Sequence, residues 1–109
     1  LVESTTIIPG KQLIGFENHS GQTKLGPKAK PLGRVLSGFG NNGDDHTEGA
    51  VYKNAIGTYM HGSLLPKNPK LADYLLEVAL KRKNPDFQLV PLDDSAESAA
   101  FLEAKSRFR

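Results

Sequence analysis

The chain has 109 residues, of which 38% are hydrophobic and 24% are charged, and its net charge is +2 with the histidines neutral. This balance is typical of a soluble globular piece with one core, and the scattered lysines and arginines argue against nucleic acid as the main partner. The absence of cysteine excludes disulfides, thiolate zinc sites and any cysteine-based catalysis by this chain alone. No apolar run approaches the length of a membrane span and no signal-peptide pattern is present, so we expect a cytoplasmic protein.

The first sixty residues have the pattern of strands. Short apolar or β-branched runs are separated by glycine-rich turns, and the predicted strands cover residues 12–17, 23–25, 33–36 and 50–60. We expect the last of these to turn at Lys53 and Asn54, leaving residues 56–60 as a buried strand with His61 at its end.

A helix is predicted after this strand, over residues 69–83. Asn68 is the expected N-cap and Pro69 the first helical residue, where its missing N–H costs nothing. Apolar residues recur at helical spacing, so Leu71, Leu75 and Val78 should face the sheet.

The C-terminal segment, residues 86–109, is predicted to be a linker followed by a terminal helix. Asp94 and Glu97 have the spacing of a capping box ahead of a thin apolar face that ends with Phe108. We expect this helix to dock on the same domain, and docking on a partner subunit is the alternative.

Three histidines, His19, His46 and His61, lie in glycine-rich or polar turns and are the only side chains that titrate near neutrality. Their spacings match no compact metal-ligand motif, so we predict no metal site. Residues 41–48 are rich in oxygen ligands but do not fit a calcium-binding loop, and a long turn between two strands is the preferred interpretation. The glycines form no phosphate-binding or dinucleotide-binding pattern, so no cofactor is predicted for this chain.

His61 is the strongest catalytic candidate on the residues alone. It follows a predicted α/β strand at the place where such sheets put their chemistry, and an imidazole there can take a proton from a nucleophile and return it to a leaving amine. A histidine that is merely hydrogen-bonded at a strand end fits the spacing equally well.

Three stretches carry a resemblance to a known family. They are GFENHSG at residues 15–21, GFGNNG at 38–43 with TEG at 47–49, and GTYMHG at 57–62 followed by LLPKNP at 64–69. Together they resemble the cobyric-acid-synthase type of class I glutamine amidotransferases, and more narrowly the glutaminase subunits of lipid II isoglutaminyl synthases. The resemblance implies an α/β fold: the C-terminal part of a three-layer, flavodoxin-like domain, with a mixed and mostly parallel sheet and helices after His61. Residues 1–109 would then be a partial domain that lacks the half with the nucleophile.

In that family a cysteine on an upstream turn attacks glutamine, and the resemblance makes His61 its general base. It also implies that Glu17, Asn18 and His19 lie near the bound glutamine. Many related enzymes carry a glutamate two residues after the histidine, where this chain has Ser63, so we expect a dyad or a third member from elsewhere. Without the cysteine-bearing N-terminal half, this chain should not hydrolyse glutamine.

The implied partners are glutamine, the cysteine-bearing half of the domain and a Mur-ligase-like synthetase subunit. The synthetase would use ATP and Mg²⁺ to amidate the glutamate of lipid II, a peptidoglycan precursor, with the ammonia released. Amidation of a corrin carboxylate is one alternative. Another is a non-catalytic module that binds a ligase through the helix beginning at Pro69 or the one beginning at Ser95.

Overall fold

The structure is a computed structural model that describes residues 1–107. The described chain contains short strands followed by three helices. The strands are β1 (Val2–Ser4), β2 (Gln12–Leu13), β3 (Phe16–Glu17), β4 (Gly33–Val35), β5 (Thr47–Glu48), β6 (Ala50–Tyr52), β7 (Ala55–Gly57) and β8 (Met60–His61), and the helices are α1 (Leu64–Lys67), α2 (Pro69–Lys81) and α3 (Ser95–Lys105).

The largest sheet has four strands in the order β2-β1-β4-β5. The inner strand β1 pairs with β2 and β4, so Val2 lies opposite Leu13 on one side and Val35 on the other. The sequence predicted β4 to within one residue but missed β1 and β5. Those strands are three and two residues long, too short to show a period-2 pattern.

The expected α/β class is confirmed, with one difference in the sheets. Each strand pairing between residues 1 and 107 is antiparallel. The parallel strands implied by the resemblance therefore do not lie in the described part of the chain.

A small core lies under the main sheet and α2. Its buried members are apolar side chains from strands, loops and the first turn of α2, namely Val2, Leu13, Leu32, Val51, Met60 and Leu71. Of the three α2 residues expected to face the sheet, Leu71 is buried, Val78 is half-buried and Leu75 is exposed, so the prediction for Leu75 was wrong.

The predicted strand over residues 50–60 is three strands. The turn at Lys53 and Asn54 is confirmed, because β6 and β7 form a hairpin with Tyr52 opposite Ala55. The continuous buried strand over residues 56–60 is wrong: β7 ends at Gly57, and β8 starts at Met60 and pairs with β3 instead.

The predicted strands near the N-terminus also need correction. Residues 12–17 form two strands interrupted at Ile14 and Gly15. Residues 23–25 form no strand, because Thr23 is held by a loop: its N–H donates to the Asn41 carbonyl at 2.7 Å, and the Asn42 side chain donates to its carbonyl at 2.9 Å.

Helix α2 begins where the sequence predicted and ends two residues earlier. Asn68 is the N-cap residue and Pro69 the first helical residue, but the Asn68 side chain makes no cap hydrogen bond. Its Oδ1 accepts from the Ile14 N–H at 2.8 Å, and its Nδ2 donates to the Ile14 and Leu64 carbonyls at 2.7 Å each. The side chain thus serves as a strand partner for Ile14.

The terminal helix α3 is confirmed, and it contacts α1 in the same chain. Asp94 is its N-cap residue but makes no side-chain cap bond, so the predicted capping box does not form; the Asp93 carboxylate accepts from the Ser95 N–H instead. The predicted contribution of Phe108 lies outside the described residues. Within residues 1–107 no helix combines the length and apolar character that a bilayer crossing needs.

Candidate functional site

The pairing of β3 with β8 brings two distant motifs together. Phe16 lies opposite His61 and Glu17 opposite Met60, so the 15–21 motif runs beside the 57–62 motif. The strands approach closely because residue 15 is glycine: a Cβ there would lie 2.5 Å from the Met60 Cβ. Any larger residue would push β3 away from β8.

His61 is the exposed end of β8. Met60 is buried and His61 is exposed, as the alternation of side chains along a strand requires. Gly62 and Ser63 follow with φ values of +79° and +58°, and these two left-handed residues turn the chain into α1. The Ser63 side chain makes no cap hydrogen bond to α1.

A cavity of about 420 Å³ lies next to this strand pair. Residues 17–22 form one wall, and residues 39, 40, 42 and 43 form the other. Glu17, Asn18 and His19, which the resemblance places near the substrate, therefore share one cavity. His61 is not among its lining residues; it lies on β8, the strand that pairs with β3, opposite Phe16.

Both carboxylate oxygens of Glu17 bind backbone. Oε2 accepts from the Phe39 N–H at 3.0 Å and Oε1 from the Gly40 N–H at 2.8 Å. Gly40 has φ +72°, and a Cβ on it would clash with the Thr47 carbonyl oxygen, so only glycine fits at this position of the turn. Glu17 thereby holds the two walls of the cavity together.

His19 is half-buried and stacks on Tyr59, with ring centroids 3.7 Å apart and planes 5° from parallel. Its Nδ1 lies 2.8 Å from the Gly21 carbonyl oxygen, which can only accept. Nδ1 is therefore the donor in this hydrogen bond, so the hydrogen-free nitrogen of a neutral His19 ring is Nε2, which can accept. The Tyr59 hydroxyl is 2.6 Å from the Thr23 hydroxyl.

Glu48 was not singled out from the sequence, although it lies in the TEG motif. It is fully buried, its Oε1 accepts from the Tyr59 N–H at 2.7 Å, and its Oε2 accepts from the Thr58 hydroxyl at 3.0 Å. Burial raises the pKa of its carboxyl above the ordinary value, against the opposing effect of these two hydrogen bonds.

Asn41 was also missed. Its buried amide accepts from the Gly49 N–H at 2.8 Å and donates to the Gly49 carbonyl at 3.0 Å. No periodicity marks either Glu48 or Asn41; their polar character within glycine-containing motifs was the available signal.

In the oxygen-rich segment 41–48, residues 41–46 belong to the turn between β4 and β5 and residues 47–48 form β5, so the preferred interpretation of a turn between two strands is confirmed. The Asn42 Oδ1 accepts from the N–H groups of Asp44 and Asp45, and Asp45 accepts from Thr47. Hydrogen bonds from the Thr47 hydroxyl, the Asn42 amide and the Thr47 N–H lower the pKa of the Asp45 carboxyl. His46 is exposed at φ +60°, and no group of three or more His, Asp or Glu residues between 1 and 107 is placed to hold a metal ion.

Comparison with known proteins places this arrangement in a family. Residues 2–69 match the CobB/CobQ-like glutamine amidotransferase domain. The lipid II isoglutaminyl synthase (glutamine-hydrolyzing) subunit GatD of Staphylococcus aureus is 48% identical over 88 residues, which cover 81% of this chain and 35% of that protein. GatD of Streptococcus pneumoniae is also 48% identical, over 81 residues that cover 73% of this chain and 31% of that protein.

A more distant relative is the probable cobyric acid synthase of Methanothermobacter thermautotrophicus, 40% identical over 86 residues that cover 79% of this chain and 16% of that protein. The chain thus spans about a third of the length of the GatD proteins it matches. The matched region contains β3, β8 and the cavity between residues 17 and 43. On these matches, the chain belongs to the CobB/CobQ-like glutamine amidotransferase family.

Proposed function

We propose that this chain is the histidine-bearing part of a glutaminase that supplies ammonia for amidation of lipid II. The observation that carries the proposal is the β3–β8 pair, which puts His61 beside the strand that leads into the cavity lined by Asn18 and His19. The 48% identity to two GatD subunits supports lipid II amidation as the pathway.

In the proposed reaction, the nucleophile is a cysteine from a part of the domain that this sequence does not contain, since the chain has no cysteine. His61 takes the proton of the thiol, and the thiolate attacks the side-chain amide carbon of glutamine. The resulting imidazolium then protonates the departing nitrogen, so that ammonia leaves and a thioester remains. Water hydrolyses the thioester to glutamate and frees the cysteine.

The cavity supplies the substrate site in this proposal. Its acceptors and donors suit the α-amino and α-carboxylate groups of free glutamine: Asn18 is exposed on its wall, and Nε2 of His19 is available as an acceptor. Glu17 acts indirectly, because its carboxylate is used to hold the turn at Phe39 and Gly40. Of the three residues that the resemblance placed near the substrate, Asn18 and His19 are therefore the ones proposed to bind glutamine directly.

The ammonia would pass to a Mur-ligase-like synthetase subunit. That subunit would bind ATP and Mg²⁺ and activate the acceptor carboxylate, while this chain binds neither. Similarity to cobyric acid synthases at 33–40% identity keeps a corrin acceptor as the second candidate. Incubation of the complete enzyme with ATP, glutamine and either lipid II or a corrin acid distinguishes the two by which acceptor gains an amide.

The test of the glutaminase proposal is glutamate release by the complete protein carrying His61→Asn. Loss of a general base should reduce the turnover rate by about 10²-fold or more. His46→Asn is the matched control, because His46 is exposed in the 41–48 turn and should be dispensable. Equal activity of the two variants would refute the role of His61.

A further inference from the structure

Glu48 is a buried carboxylate that the proposed reaction does not use. It is fully buried, and none of the ion pairs among residues 1–107 includes it. A buried carboxylate without a cation is costly and is held here by neutral donors alone. A residue of this kind is a candidate for a functional role, because a neutral side chain of the same size would fit at lower cost.

The donors to Glu48 lie where the chain has no strand partner. Thr58 and Tyr59 connect β7 to β8 and belong to neither strand. The carboxylate binds the Thr58 hydroxyl and the Tyr59 N–H, and the same hydroxyl accepts from the Met60 N–H at 3.0 Å. Just before His61, Glu48 thus accepts the hydrogen bonds that a neighbouring strand would otherwise accept.

The same segment reaches the cavity. The Tyr59 ring stacks on His19, which lines the cavity, and the Tyr59 hydroxyl is bonded to Thr23. Any shift of the Tyr59 backbone would displace the ring that supports His19 as well as the start of β8. One buried side chain, Glu48, therefore fixes both the start of β8 and the ring that supports His19.

We propose that Glu48 is a positioning residue that aligns His61 with the nucleophile by holding Thr58 and Tyr59. This inference rests on the proposed function, because it needs a thiol for His61 to activate. In this role Glu48 acts through Thr58 and Tyr59, the two residues that lead into β8, and not by direct contact with the reacting atoms. Many related enzymes orient the histidine with a glutamate at the position of Ser63, whose side chain makes no cap hydrogen bond here. The proposal gives that orienting role to Glu48.

The test uses Thr58→Val in the complete protein, because Thr58 is exposed and valine keeps its shape while removing the hydroxyl. Thr6→Val is the matched control: it removes a hydroxyl that donates to the Pro31 carbonyl at 2.8 Å, on the connection between β1 and β2. Thr58→Ser keeps the hydroxyl and serves as the rescue. Each variant is assayed for glutamate release and for the pKa of the catalytic thiol, taken from the pH dependence of its alkylation by iodoacetamide.

We expect Thr58→Val to lower kcat by about 10-fold to 100-fold, as a small misplacement of a catalytic group does. The thiol pKa should rise toward about 8.5, the value of an unpaired cysteine. Thr58→Ser and Thr6→Val should keep both values near wild type. A variant that had only lost folded protein would show less alkylation but an unchanged thiol pKa, and that result would overturn the proposal.

The outcomes separate this inference from the proposed function. If His61→Asn is inactive while Thr58→Val keeps the wild-type kcat and thiol pKa, Glu48 does not position His61, and the glutaminase proposal stands. If His61→Asn is active, the proposed function fails and the positioning role fails with it.

Discussion

Asn68 offers the sharpest test of how the site is anchored, because its side chain alone satisfies both backbone groups of Ile14. Ile14 is buried, and its N–H and carbonyl bond to the two ends of the Asn68 amide at 2.8 and 2.7 Å. Asn68→Ala would leave these two groups buried without partners. At about 1–3 kcal/mol for each, the free energy of unfolding should fall by about 2–6 kcal/mol.

A loss of this size is a large part of the roughly 5–15 kcal/mol that stabilises a typical domain. Urea unfolding of the variant and wild-type proteins, followed by circular dichroism, measures it directly. Asn84→Ala is the control, since Asn84 is exposed and accepts one hydrogen bond from the Asp86 N–H at 3.2 Å. It should change the unfolding free energy by no more than about 0.5 kcal/mol. Equal effects of the two substitutions would refute the anchoring role of Asn68.

Three further predictions concern the backbone and the buried charge. Lys53 has φ +53° in the two-residue β6–β7 turn, so Lys53→Gly should raise the free energy of unfolding by up to about 1 kcal/mol; a loss in urea unfolding would contradict this. Gly15→Ala puts a Cβ 2.5 Å from that of Met60 and should cost about 1–3 kcal/mol in the same assay, whereas an unchanged midpoint would mean that β3 and β8 adjust freely. The raised pKa of Glu48 means that the folded state binds more protons than the unfolded state above pH 4.5, so wild-type stability falls as the pH rises through the raised pKa. Glu48→Gln cannot ionise, and its unfolding free energy relative to wild type should therefore improve from pH 4.5 upward; a difference that is constant with pH would show that the charge is not desolvated.

The elements that could be predicted from the sequence are those with local signals. The turn at Lys53 and Asn54 and the start of α2 at Pro69 depend on residues with strong backbone preferences. The terminal helix was likewise indicated by its start signal and spacing, although its cap bond comes from Asp93 instead of Asp94.

What the sequence could not provide are contacts between distant residues. Asn68 looked like an N-cap because it precedes Pro69, but its side chain bonds to a residue 54 positions away. The burial of Glu48 and the pairing of β3 with β8 also follow from tertiary packing, which two-residue strands cannot reveal through periodicity. The residues of the candidate site were therefore suggested by motif resemblance, while their connections required the structure.

The central claim is that this chain supplies the base and the substrate cavity of a glutaminase but not its nucleophile. The most direct measurement is glutamate release from glutamine by this chain alone and by the chain combined with the cysteine-bearing part of the domain. We predict activity only in the combined sample, and loss of that activity when the chain carries His61→Asn. Glutamine hydrolysis by the chain alone, or by a combined sample without His61, would contradict the account.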